Sequence, residues 1–428
     1  MSLVFDLGKN IKLLKEKTLY SLFENFFSFF LLKGLNFLIP LITLPFLLKR
    51  LDPSTFGLIV FAESLIFYFQ SFTEYGFNLS GTRYISKNIG CIHKINKAFN
   101  EIIFSKVLLS IFGFFILLIL LFISEKLDKN KNIFIVTYFI VIGQAITPMW
   151  FYQGIEKMRF IALFNLFSRI LFLVLLFSLV KSNDDYFFVP MINAISYCSV
   201  GLISMLFTIY HFKIVIKPNF KAILNRLRTD FNIFISSITP TLYNNTSTFL
   251  LGAIAGSVVL GQYSAANRII EVANVIIYTI SSVTYPFLNR KFEFHTRFSI
   301  ATIVIASFLS ICLFILSFYL AIIFGENYKN SEALLRFMSI NPLLLAIVCM
   351  YGSNYLLIKN QDKIVKNITI ACSILGIIVA FLTIPAFGYW GAAITLTISR
   401  ACLGGSYFIF YIKLKKNEAR IYQTKLPQ

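Results

Sequence analysis

Twelve apolar stretches, each long enough to cross a lipid bilayer, run through this chain of 428 residues, and the lysines and arginines between them crowd into alternate connections. A membrane-spanning helix needs about 20 apolar residues, which places spans at 24 to 47, 57 to 81, 103 to 124, 132 to 155, 159 to 180 and 187 to 211. The second half gives 231 to 256, 260 to 286, 298 to 324, 332 to 357, 366 to 386 and 389 to 412. Composition agrees: 57% of residues are hydrophobic, 14% are charged and mean hydropathy is +0.77, which excludes a water-soluble domain.

Lys and Arg resist translocation, so their distribution sets orientation. Of the 39, 26 fall in the N-terminal segment, the C-terminal tail and the five connections on the same side, against 7 in the opposite connections. That side is cytoplasmic, and both termini are expected there. The net charge of +20 is spread over seven short segments with no continuous patch or motif, so no nucleic-acid partner is expected. These basic residues are read as topology determinants that meet anionic membrane lipids. The N-terminal run through Tyr20 lacks a signal-peptide cleavage site and reads as a retained interfacial helix. Six cysteines show no paired spacing, so neither disulfide nor metal framework is indicated, and no cofactor. His93, His211 and His295 are unclustered, and Trp150 and Trp390 read as interface anchors.

Six spans per half bring each half back to the cytoplasmic side. The expected fold is therefore an all-α integral membrane protein of 12 transmembrane helices, arranged as two parallel six-helix repeats around a central cleft. Its divisions are 1–211, a cytoplasmic linker at 212–230 carrying Pro218 and five basic residues, and 231–428. Span two reads FGLIVFAES and span eight LGQYSAANR, so Gly57 and Gly261 are each followed five residues later by Ala. Spans one and seven both carry proline: Pro40 and Pro45 in one, Pro240 in the other. Proline frees carbonyls and bends a helix, so these are expected helix breaks lining a transport site.

Charge within a span is costly and should face protein or water. Six basic residues remain within or at the ends of spans; Lys33, Arg169, Arg268, Arg336 and Arg400 form the cationic set, with Arg169 and Arg400 nearest the midplane. Against them stand Glu63, Glu74 and Glu271. One reading is a cationic cavity for an anionic headgroup, because a guanidinium binds phosphate through donors in a fixed fork. The other is structural, with Arg268 pairing Glu271 three residues along one helix and Arg336 and Lys33 reaching an interface. Glu63 and Glu271 are candidates for ion coupling, with Glu63 preferred because Glu271 has an arginine beside it. Asn244 and Asn245 open a run of five polar residues through Thr248, which either lines a wet cavity and meets sugar hydroxyls or bonds between helices.

Catalysis is not expected. There is no phosphate-cradling glycine-rich loop, the outer connections are short, and Asp184-Asp185 is an isolated acidic pair. No selectivity-filter segment is present either.

Three segments carry a family resemblance. LITLPFLLKRLDPSTFGLIVFAES from Leu41, TEYGFNLSGTRYISKN from Thr73 and PMWFYQGIEKMR from Pro148 together resemble the Wzx-type polysaccharide repeat-unit flippases. These belong to the multidrug/oligosaccharidyl-lipid/polysaccharide exporter superfamily, and the resemblance implies its MATE-like architecture. It also implies translocation of undecaprenyl-diphosphate-linked oligosaccharide repeat units, of O-antigen in lipopolysaccharide biosynthesis or of capsule, from the inner to the outer leaflet of the bacterial cytoplasmic membrane. Alternating access, coupled to a proton or sodium gradient, would drive it. The lipid-linked oligosaccharide is then the main partner, with a polysaccharide polymerase and a chain-length regulator as further ones. The competing readings are a cation-coupled multidrug exporter of the same superfamily, whose cavity should be carboxylate-dominated or apolar, and a membrane polysaccharide polymerase.

Overall fold

Hydrocarbon offers a peptide group no hydrogen-bond partner, so a chain this apolar must satisfy its backbone within helices or a closed barrel. The computed structural model describes residues 39–424, apart from the side chains of Ser236, residues 239–244 and residues 417–424. Among the described residues all regular structure is helical. We number α1 (residues 39–50), α2 (Pro53–Glu74), α3 (Phe77–Lys87), α4 (Ile92–Ile123), α5 (Lys131–Ile146), α6 (Met149–Gly154), α7 (Met158–Leu179), α8 (Phe188–Phe212) and α9 (Phe220–Ala255). There follow α10 (Ser257–Arg290), α11 (His295–Leu316), α12 (Lys329–Met338), α13 (Asn341–Ile347), which continues into the π-helix Val348–Leu357, then α14 (Asp362–Phe387) and α15 (Tyr389–Thr424).

Ten helical runs among the described residues are long and apolar enough to cross a membrane, from Pro53–Lys87 to Tyr389–Lys416, and each overlaps one expected span. The other two expected spans fall where description is partial: residues 24 to 38 of the first lie outside it, and the seventh lies in α9. Apolar side chains three or four apart form outward stripes: Ile111, Phe115, Ile119 and Phe122 on α4, and Ile300, Val304, Phe308, Ile311 and Ile315 on α11. Phe122 is 91% exposed, which only lipid makes tolerable.

The chain divides into two compact units. Unit 1 comprises Leu65–Lys181 and Phe187–Thr241. Its core packs Trp150, Phe99, Phe151, Tyr152, Ile85 and Ile102, all at most 1% exposed. Trp150, expected as an interface anchor, is thus a core residue; its ring lies 5.8 Å from that of Phe99. Helices α5 and α8 meet backbone to backbone, since a Cβ on Gly143 would lie 2.5 Å from the carbonyl carbon of Tyr197. Of the expected linker 212–230, residues 214–219 are irregular, and from Phe220 the chain forms the first turns of α9. Ser80 on α3 donates to Asp230 at 2.6 Å, and Arg226 donates to the same carboxylate at 2.8 Å, which fastens α9.

Unit 2 comprises residues 39–64, 182–186 and 242–424. Residues 39–64 therefore pack here, rather than in the expected 1–211 bundle. The reason is close approach of the two sequence-matched glycines. A Cβ on Gly57 would lie 2.7 Å from the amide nitrogen of Gly261, and one on Gly261 would lie 2.7 Å from the carbonyl carbon of Pro53. Tyr328 donates to the Leu51 carbonyl at 2.8 Å, and Asn183 accepts from the Asp52 amide at 2.9 Å, which brings 182–186 into the unit. In the π-helix, buried Asn354 donates to Thr284 at 2.9 Å.

Two of the three expected helix breaks, Pro45 and Pro240, are not breaks. Residues 39–50 are helical through Pro45 and α9 is helical through Pro240, while the chain before Pro40 lies, but for one residue, outside the described residues. A proline removes one hydrogen bond and bends a helix, and the turns beyond it can continue. Gly261→Val should lower the unfolding midpoint of the detergent-purified protein sharply or prevent its accumulation, as overpacking costs about 1–3 kcal/mol or more where only backbone could move. Gly90→Val, at a position with open space around it, should leave the midpoint unchanged.

Candidate functional site

An ion in lipid must find its counter-ion within the protein, and unit 2 does this twice from one helix. Arg268 and Glu271 stand one turn apart on α10 but do not pair with each other. Arg268 pairs across to Glu63 on α2, and its guanidinium carbon lies 5.2 Å from the centroid of the Phe56 ring. Glu271 accepts from Arg400 on α15 at 3.1 Å and from Asn274 at 3.0 Å. Arg400 also donates to Asn341 at 3.4 Å. The two pairs staple α2 and α15 to α10, and their four charges cancel.

This corrects the preference for Glu63 as a coupling carboxylate, which supposed that Arg268 would occupy Glu271. Glu63 is itself paired, and Glu271 is the more open carboxylate, with its side chain 47% exposed against 29%. Arg336 covers the Phe318 ring at 3.9 Å and donates to Ser317 at 3.4 Å, as a cation at a helix end does. Asn245 donates to the Ser64 carbonyl at 2.6 Å, a bond between helices. Lys33 and the side chain of Asn244 lie outside the described residues.

Unit 1 is built differently. Between α5 and α6 the helix is interrupted at Thr147 and Pro148. In a continuous helix the Gln144 carbonyl would accept from the amide of residue 148, but proline has none to give. The ammonium of Lys106, on α4, donates to that carbonyl at 3.2 Å and to Glu74 at 2.9 Å. Lys106 is 1% exposed and is among the largest fully buried side chains of the described residues. It is the sixth intramembrane cation, which sequence reasoning passed over. The signals that could have found it are Pro148 and the acidic Glu74 at the end of span two.

Glu74, Lys106, Gln144 and Thr147 line a half-open cavity of 510 Å³ whose walls all belong to unit 1. Gln70, Asn78, Gln153, Asn165, Ser168 and Tyr197 line it too, as does Arg169 on α7. Its volume is within the range of roughly 300–1,000 Å³ usual for small-molecule sites. Among the described residues the half-buried Arg169 makes no hydrogen bond or ion pair. Two cations and one carboxylate leave the lining with one net positive charge. The amides and hydroxyls around it can hydrogen-bond a polar ligand on several sides.

Comparison with known proteins adds the family. The polysaccharide biosynthesis protein family matches residues 22–292, more than half of the chain. This chain belongs to that family. A protein of Escherichia coli (strain K12), named as a candidate O-antigen transporter, is 27% identical over 412 residues, covering 92% of this chain and 98% of the relative. Among solved structures, the lipid II flippase MurJ in an inward closed conformation is similar with TM-score 0.66 at 15% identity, covering 96% of this chain and 94% of MurJ. An inward-facing multidrug resistance MATE family transporter of the MOP superfamily follows with TM-score 0.62 at 12% identity, over 91% of this chain and 96% of the other. These two likenesses show the MATE-like, all-α membrane fold.

The ion pairs predict a ranking of stability. Lys106→Met strands Glu74 in an interior where removing one partner costs about 3–5 kcal/mol. Arg268→Met should cost less, about 1 kcal/mol, because both its partner and itself are roughly a third exposed and solvent screens the pair. Unfolding midpoints of the purified variants should fall in that order.

Proposed function

We infer that this protein is a flippase that carries undecaprenyl-diphosphate-linked oligosaccharide repeat units, of O-antigen or capsule, from the inner to the outer leaflet of the bacterial cytoplasmic membrane by alternating access. The observation that carries the reading is Arg169: a guanidinium within a span, partnerless among the described residues, lining a cavity of 510 Å³ that carries one net positive charge and several amides and hydroxyls. A diphosphate-sugar headgroup needs a wet cationic site, whereas its polyprenyl tail can stay in lipid. The Escherichia coli relative's name points to the same cargo class. The chain is a multi-pass membrane transporter of the polysaccharide biosynthesis family, not an enzyme.

Within this reading Arg169 is assigned the headgroup ahead of Arg400 and Arg268, whose charges are matched by carboxylates. Coupling to a proton or sodium gradient is assigned to Glu271, whose second carboxylate oxygen has no hydrogen bond among the described residues. A multidrug exporter for cationic drugs is disfavoured, because the unit 1 cavity holds two cations to one carboxylate. Both termini are assigned to the cytoplasm from the charge asymmetry, and a polymerase and chain-length regulator remain the expected partners in assembly.

Arg169→Gln should remove surface polymer while leaving membrane abundance intact, through loss of about 1.5–3 kcal/mol of charge-assisted bonding to the headgroup. Arg169→Lys should restore part of it, since an ammonium keeps the charge without the fork. Equal loss of protein and polymer in both variants would make Arg169 structural and remove the reading's main support.

A further inference from the structure

The Lys106–Glu74 pair is unusual in two respects. A buried ion pair holds when the remaining donors and acceptors of both ions are satisfied. Here Glu74 Oε1 is buried and has no hydrogen-bond partner among the described residues, so the carboxylate is bound through Oε2 alone. Lys106 has three ammonium donors and shows two bonds, to Glu74 and to the Gln144 carbonyl, which lacks its helical donor at Pro148 and otherwise holds only the Thr147 amide at 3.3 Å. Both ions line the cavity that Arg169 also lines. Lys106 is therefore fixed in place by a backbone carbonyl that stays put, while its counter-ion is incompletely held.

We propose that Lys106 is a second anion-binding residue of this cavity and that Glu74 is its resident counter-ion, exchanged for a phosphate oxygen when an anionic headgroup enters. The proposal rests on the flippase reading above and deepens it, naming a phosphate group as the ligand and Lys106 and Arg169 as its paired cations. Empty, the cavity keeps Lys106 neutralised, so a buried ammonium is never left without an anion. Occupied, phosphate oxygens take the donor that Glu74 releases and the unused guanidinium of Arg169, while Glu74 turns toward the amides and hydroxyls of the lining. The competition limits affinity, which suits a site that must let its cargo go. Gln144 contributes through its backbone, so its side chain is free to meet a sugar hydroxyl.

The test is binding to the full-length purified protein in nanodiscs, with undecaprenyl diphosphate, undecaprenol and inorganic pyrophosphate as probes. Glu74→Gln removes the competitor and should tighten undecaprenyl diphosphate binding by about tenfold, whereas Lys106→Gln should weaken it by about tenfold, the worth of one charge-assisted bond. The double variant Glu74→Gln/Lys106→Gln replaces the ion pair by neutral amides and leaves no stranded charge. It should fold even if a single variant does not, and should bind about tenfold more weakly than wild type. Undecaprenol should not respond to any variant. Competition by inorganic pyrophosphate would show that the phosphate group suffices; dependence on the lipid-linked form would show that the site reads the phosphate only in that setting. Unchanged affinity in Glu74→Gln, or wild-type affinity in the double variant, would overturn the exchange and leave the flippase reading standing. Absence of undecaprenyl diphosphate binding by wild type would overturn both.

Discussion

An ion or an open carbonyl surrounded by hydrocarbon has no partner except those the protein supplies, and each polar feature of this transporter answers that constraint. In unit 2 two arginines find carboxylates: Arg268 with Glu63 and Arg400 with Glu271 match charge for charge across neighbouring helices, while Arg336 rests on the Phe318 ring. In unit 1 the matching is incomplete. Lys106 is shared between Glu74 and the Gln144 carbonyl, which lacks its helical donor at Pro148 and also holds the Thr147 amide, and Arg169 lines a cavity without an anionic partner among the described residues. The unmatched charge lies where there is volume to receive a ligand. The matched charges lie where helices must be held.

Close packing of small residues lets these polar contacts form. Gly57 against Gly261 brings the starts of α2 and α10 together, and Glu63 and Arg268 then face one another farther along the same pair of helices. Gly143 against α8 does the equivalent for α5, the helix that presents the Gln144 carbonyl. Backbone approach within a lipid-exposed bundle depends on such positions because dispersion, rather than water exclusion, holds the helices.

Much of the fold was legible in the sequence. Each of ten expected spans overlaps one helical run, because lipid imposes length and apolarity on each helix independently of its neighbours, although several helices extend past the apolar stretch, as α4 does by starting at Ile92. The matched glycines Gly57 and Gly261 were visible as a pattern, although that they touch was not. Pair identities were illegible for the same reason: Arg268 and Glu271 look like partners along one helix, and only packing reveals that each reaches another. Pro45 and Pro240 lie in continuing helix, while Pro148, read only as part of a family motif, interrupts one beside the carbonyl that Lys106 binds. Lys106 itself was hidden in an apolar span, where one buried ammonium is hard to tell from one that reaches an interface.

The central claim is that this protein moves a lipid-linked oligosaccharide between leaflets, and the most direct measurement is the leaflet orientation of the undecaprenyl-diphosphate oligosaccharide in cells depleted of it. Accumulation of the intact lipid-linked unit on the cytoplasmic side, with no polymer outside, is the predicted result. Arrival of the unit in the outer leaflet without polymerisation would contradict the account and place the protein after translocation.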